Sequence, residues 1–269
     1  MTPLQNPSYS APPSFEFIAA FKFLFKGGNA LNNILLGAVM NLIPIVGPIM
    51  LMGWHCEILQ RLMKRHPNPI PKLTFDDFGY FLGRGLAPFI IVLITTVPLV
   101  FISMFVLFAV SFGVALFAGT VQPQGGEPSP LIALGGFGVP FLAFFAFLIL
   151  FNVLLMAALT RAELTEDIGM SLDFGKIWAY ARATWKDILI SYLVFIPLTF
   201  AVVFGGMLVV FVGVYAAVII IMIAYLHLRW QVYERYLSRG GEMIPIQTKS
   251  GPLPSEQRPA APAPPPTPR

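Results

Sequence analysis

Charge is what this chain lacks. Asp, Glu, Lys and Arg make up only 11% of its 269 residues, against roughly a quarter in soluble domains. Hydrophobic residues make up 57%, and phenylalanine alone counts 25. A water-soluble fold of this length has too little interior to hide so much apolar surface. The composition predicts an integral membrane protein of the all-α class. Cysteine is almost absent too. The single Cys56 excludes an internal disulfide and a multi-cysteine metal site. No Walker loop, HExxH, GxSxG or Rossmann fingerprint is present, so no enzyme activity, cofactor or metal is expected. No basic, aromatic-interleaved soluble face points to nucleic acid. The first 14 residues are polar and proline-rich, without the basic and apolar regions of a signal peptide. The first apolar segment is therefore expected to act as an uncleaved anchor.

What is present is three long apolar tracts, at residues 31–56, 86–160 and 188–226. A span needs about 20 apolar residues. The second tract is broken by TVQPQGGEPSP at 120–130 and so holds two spans. The third is too long for one span and breaks most naturally at Gly205-Gly206 or at Gly213. The first tract carries the sequence NLIPIVGPIML, with Pro44, Gly47 and Pro48 in its middle. Glycine past a helix end and proline at the start of the next is stop–start chemistry. It predicts two short legs turning at 44–48 rather than one kinked span.

Charge placement favours that turn. With six spans, the outer loops fall near 45–46, 118–130 and 205–213, and none contains Lys or Arg. All 17 basic residues then lie on the other side, the side that short basic loops mark as cytoplasmic. A five-span reading would export Lys22 and Lys26. The expected spans are near 31–43, 48–64, 86–118, 131–160, 187–205 and 207–230, in the cell membrane, with both termini cytoplasmic.

Pro44, Pro98 and Pro197 each follow a phenylalanine, Phe21, Phe75 and Phe174, by 23 residues. Around each phenylalanine lies a mixed apolar and charged segment. In the third, Phe174, Ile177, Trp178 and Ala181 fall at helical spacing with Lys176 and Arg182 elsewhere on the wheel, an amphipathic pattern suited to a membrane interface. The unit reads as an interfacial amphipathic helix followed by a helical hairpin, three times. Residues 241–269 form a proline-rich segment, expected to be a disordered cytoplasmic tail with a possible protein partner. Residues 15–240 form the helical membrane domain.

A stretch of sequence carries a resemblance. Ile43-Pro44-Ile45-Val46-Gly47-Pro48, then Gly53-Trp54, Arg61, Pro71, and Phe75-Asp76-Asp77-Phe78-Gly79 leading to Gly85-Leu86, resemble the bacterial and archaeal membrane family called domain of unknown function 4013. Trp54 stands where that family often has Tyr, and Phe78 where it often has Trp. The resemblance implies a multi-pass membrane protein and carries no activity.

Few residues could bear chemistry. Asp76 and Asp77, with Arg84 downstream, could bind a cation or dock a partner, or could serve a helix start through capping and the helix dipole. His55, Cys56 and Glu57 are adjacent on a helix and splay by about 100° each, so they cannot share a metal. Glu57, just past that first apolar tract and inside the span expected near 48–64, is among the deepest charges and a functional candidate on that ground. Its spacing to Arg61 also suits a salt bridge. Glu163 and Asp167 lie at i, i+4, where paired carboxylates could hold a divalent cation or could be solvated at a helix end.

Two function classes follow. One is a structural or interaction protein that organises lipid or a partner, using repeated amphipathic helices with no buried charge. The other is a transporter or channel for a neutral or lipid-like substrate, suggested by hairpins and proline-broken spans.

Overall fold

The structure is a computed structural model that describes residues 14–121, 138–247 and 253–257. Among these every regular element is helical. In chain order they are α1 (Phe17–Phe23), α2 (Ala30–Asn41), α3 (Val46–Met63), α4 (Phe78–Val121), α5 (Val139–Thr165), α6 (Ile168–Ser171), α7 (Phe174–Met207), α8 (Val210–Ser238) and α9 (Pro254–Gln257). Short 3-10 turns occupy Leu24–Lys26 and Phe75–Asp77. Four stretches are long and apolar enough to cross a membrane: Phe75–Gly113, Phe141–Thr165, Phe174–Met207 and Gly213–Ser238. This is a helical membrane protein. Most of the expected outer loop at 118–130, the start of the span expected at 131–160, the first 13 residues and the end of the tail lie outside the described residues.

The chain leaves the helix after Asn41 and re-enters it at Val46. Pro44 has no N–H to give and biases Ile43 away from helical backbone. Ile45 is left at φ 64, a strained conformation for a β-branched residue. Gly47 is required by crowding, since a Cβ there would lie 1.7 Å from the Met40 carbonyl oxygen. The twelve residues of α2 span about 18 Å, less than the roughly 30 Å apolar thickness of a bilayer.

α3 is the axis of the fold. Leu51, Trp54, Ile58 and Leu59 on successive faces are all fully buried. α4 crosses it at two glycines. A Cβ at Gly53 would sit 1.7 Å from the Phe81 carbonyl oxygen, and one at Gly85 would sit 1.7 Å from that of Ile49. Small residues permit such backbone approach between helices in membranes. α3 closes with a C-terminal cap in which Arg65 is left-handed, φ 54. Its N–H bonds the Leu62 carbonyl and the next N–H bonds that of Arg61, so two helix-end acceptors are satisfied.

Two of the three expected interfacial helices are not separate elements. The segments beginning at Phe75 and Phe174 run on without a break into α4 and α7. Asp187, on α7, is bridged by Arg235 (3.3 Å) and Arg239 (2.5 Å) of the α8 end. The stripe on α7 also divides. Ile177 and Ala181 are buried while Phe174 and Trp178 are exposed. The three prolines of the suspected repeat differ as well. Pro44 lies in a turn, whereas Pro98 and Pro197 lie inside helices. Only the first segment forms its own short helix, α1, which packs along α8.

α7 and α8 turn at Leu208-Val209. There Gly206 and Gly213 face each other so closely that a Cβ on Gly213 would be 2.1 Å from the Gly206 carbonyl oxygen. Described parts of the segment 241–269 lie against the helices. Ile244 and Leu253 are buried, and Gln247 N–H donates to the Leu164 carbonyl at 3.0 Å. Two apolar anchors and this backbone bond hold them there.

Candidate functional site

Glu57, Gln60 and Arg61 lie three and four residues apart on α3, so they share one face. That face meets the first turns of α4, the last turn of α5 and the C-terminal half of α8. On α4, Tyr80 and Arg84 are again four apart. These four helix ends enclose a cluster of charge that is almost entirely removed from solvent.

Arg84 is its centre, with a side chain 1% exposed. Its guanidinium donates to Glu57, to Glu166 (Nε–Oε1, 2.7 Å), to the Gln60 side-chain oxygen (2.8 Å) and to the Tyr80 hydroxyl (2.9 Å). Glu57 also accepts from Arg61 Nε at 2.5 Å and from the Tyr80 hydroxyl at 3.3 Å. Gln60 Nε2 donates to Glu166 (2.8 Å) and to the Glu163 carbonyl (3.2 Å). It thereby satisfies one of the carbonyls that the end of α5 leaves open.

Glu166 reaches this position through its backbone. It ends α5 in the left-handed region, φ 51, which costs a non-glycine residue roughly 1–2 kcal/mol. The strain is offset by the ion pair it makes possible. Next to it, Glu163 faces Arg229 of α8, whose Nη2 is 2.7 Å from either carboxylate oxygen. Arg229 also lies over the Tyr225 ring, 5.3 Å from its centroid.

Glu57, Glu163 and Glu166 thus stand against Arg61, Arg84 and Arg229. Such a buried cluster contributes little net stability compared with an apolar core, because desolvation consumes the attraction. Its removal in part is expensive, because a partner is left charged and buried. The expectation of no buried charge is overturned. Glu57 and Glu166 are occupied by guanidinium, hydroxyl and amide donors, while Glu163 Oε2 is buried beside Arg229 without a hydrogen bond of its own. Among the described residues no group of three or more His, Cys, Asp or Glu could hold a metal.

Of the candidate residues read from the sequence, Glu57, Arg84 and Glu163 come together here. Asp77 is fully buried at the edge, accepting from the Thr74 hydroxyl at 2.7 Å and from the Ser255 N–H of the tail at 2.9 Å. Asp76 is exposed on the adjoining 3-10 turn. Asp167 caps α6 by accepting from the Met170 N–H at 3.0 Å. It does not pair with Glu163, because α5 ends at Thr165 and the helical register between them is lost. Gln60, Tyr80, Glu166, Arg229 and the tail's Glu256 were not foreseen. The spacing of Glu57, Gln60 and Arg61, and of Tyr80 and Arg84, was the available signal. Nothing local pointed to Glu166 or Arg229.

The family-like residues build this scaffold. Gly47 shapes the turn, and Gly53 and Gly85 set the α3–α4 crossing. Trp54 Nε1 donates to the Pro71 carbonyl at 3.3 Å, which also accepts from the Asn33 side chain at 3.2 Å. Arg61 and Asp77 meet the tail. Comparison with curated proteins and with solved structures finds no match. A family model described as protein of unknown function (DUF4013) matches residues 36–230, and the chain belongs to that family.

Proposed function

We propose that this protein is a non-enzymatic, membrane-organising or partner-binding component of the cell membrane. It crosses six times as three hairpins, with both termini and the charge cluster on the cytoplasmic side. The observation that carries the reading is the unequal burial of its long helices. Among the described residues, 6% of the apolar window of Phe75–Gly113 is buried, 22% of that in Phe141–Thr165 and 17% of that in Phe174–Met207, against 50% of that in Gly213–Ser238. A fold whose work lies in a central passage would bury these helices against one another. Here they leave a rigid polar base and offer their sides to lipid or to a membrane-embedded partner. The basic residues of the cluster and of the α8 end support the orientation.

The test has two parts. With Cys56 replaced by Ala, single cysteines at Gln5, Gln124 and Gln257 are labelled on intact cells with an impermeant maleimide. Labelling at Gln124 alone is expected, and labelling at Gln5 would sink the six-span topology. Purification from native membranes in nanodiscs should then retain a stoichiometric partner or a defined set of lipids. Flux of a lipid-like substrate in proteoliposomes, with no retained partner or lipid, would favour a transporter instead.

A further inference from the structure

A cavity of about 570 Å³ opens beside the charge cluster, within the size range of small-molecule sites. Its walls come from the end of α1, the Lys26-Gly27-Gly28-Asn29 turn into α2, the loop after α3, and one face of α8. The charged lining is unbalanced. Lys26, Arg61 and Lys72 face it, against one acid, Glu256. Among the described residues neither Lys26 nor Lys72 has an acid within salt-bridge distance.

His227 adds a donor. It is nine-tenths buried and lines the cavity. The Gln231 amide beside it is fixed by Glu16, whose N–H donates to Oε1 at 2.9 Å and whose carbonyl accepts from Nε2 at 3.3 Å. The same Nε2 lies 3.0 Å from His227 Nδ1. Nδ1 is therefore the accepting nitrogen, and Nε2 carries the proton in the neutral ring. No hydrogen-bond partner takes that N–H among the described residues. The Gly27-Gly28 turn lines the cavity with no side chain to fill it, and it leads into the N-terminus of α2, where backbone donors favour anions.

Glu256 shows how an anion sits here. Both its oxygens accept from Arg61 Nη2 at 3.0 Å. Its segment is tethered by Ser255 to Asp77 and by buried Leu253. We propose that this cavity binds a phosphate group, free or in a lipid headgroup, and that Glu256 of the tail competes with it for Arg61. The site goes beyond the membrane-organising reading and does not depend on it.

The test uses the full chain in phosphatidylcholine nanodiscs, titrated calorimetrically with inorganic phosphate and with glycerol 3-phosphate. In parallel, phosphatidylglycerol retention through delipidation is followed by native mass spectrometry. Saturable binding of the soluble probes identifies a free phosphate ligand. Retention of phosphatidylglycerol without soluble-probe binding identifies a headgroup. In either case Glu256→Gln should raise affinity about fivefold, the ceiling for a half-exposed ion pair. Lys26→Ala with Lys72→Ala should lower it by at least as much. Both lysines are exposed, so the melting temperature of that variant serves as the check that the fold is intact. Absence of both kinds of binding in wild type and Glu256→Gln would overturn the proposal. So would affinity unchanged in the folded lysine variant, or unchanged in Glu256→Gln.

Discussion

Arg84 and Phe105 stand on the same helix, yet the Arg84 side chain is 1% exposed and Phe105 is 72% exposed. The base of the bundle holds its charges inside. The apolar halves of α4, α5 and α7 hold most of their phenylalanines outside, Phe195 excepted. In water this would be an inverted protein. In lipid it is the expected arrangement, because an outward phenylalanine costs nothing there and a polar group must find its partner within the protein. The two regions differ in what specifies them. Helix crossings and ion pairs fix the base residue by residue, whereas the apolar halves need only remain apolar.

That contrast is breakable. The largest effect is expected from Arg84→Leu, which leaves Glu57 and Glu166 buried without their shared partner. The cost is about 3–5 kcal/mol, read as a loss of melting temperature in detergent or of monodispersity on gel filtration. Adding Glu57→Gln and Glu166→Gln should restore much of it, since removing a whole buried network is far cheaper than breaking it. If the triple variant were no more stable than the single, charge pairing would not be the cause.

Gly85→Ala breaks the helix crossing, because its new methyl group meets the Ile49 carbonyl. Displacing α3 from α4 should cost about 1–3 kcal/mol or more. Thermal melting should show the loss, and Gly79→Ala, with open space around it, should not. The phenylalanines sharpen the comparison further. Phe81→Ala, fully buried against α3, should cost about 3–5 kcal/mol. Phe105→Ala should stay within about 0.5 kcal/mol. Equal losses at the two sites would mean that the apolar half is packed against protein. The smallest effect is expected from Glu256→Gln, a half-exposed partner of Arg61, at no more than about 1 kcal/mol in the same melting assay.

Much of the base was legible in the sequence. The proline and glycine at Pro44 and Gly47 marked the helix break, because their backbone limits act locally. The Glu57–Arg61 pair followed from helical spacing alone. Glu57 was singled out as a deeply placed charge, Arg84 for its place after Asp76 and Asp77, and Glu163 for its spacing to Asp167. Their assembly was not legible. Glu166 comes from α5 and Arg229 from α8, and only tertiary packing brings them beside Arg84 and Glu163. Positional reading placed both arginines on a membrane side, which is compatible with burial but does not reveal it. The continuity of α4 through Arg84 was missed for the same reason. A charge in an apolar segment looks like an interface until its partner is known. The tail's contacts are with Asp77 and Arg61, far from it in sequence.

The most direct measurement is of solvent and lipid contact on the two regions. Single nitroxide labels at Phe105, Phe145 and Phe200, with a reference at Ile58, would be read by electron paramagnetic resonance in nanodiscs. The three phenylalanine sites are expected to relax strongly with oxygen and weakly with a water-soluble nickel chelate, while Ile58 responds to neither. Weak oxygen relaxation at all three phenylalanine sites would contradict the division, because the apolar helices would then be packed against protein.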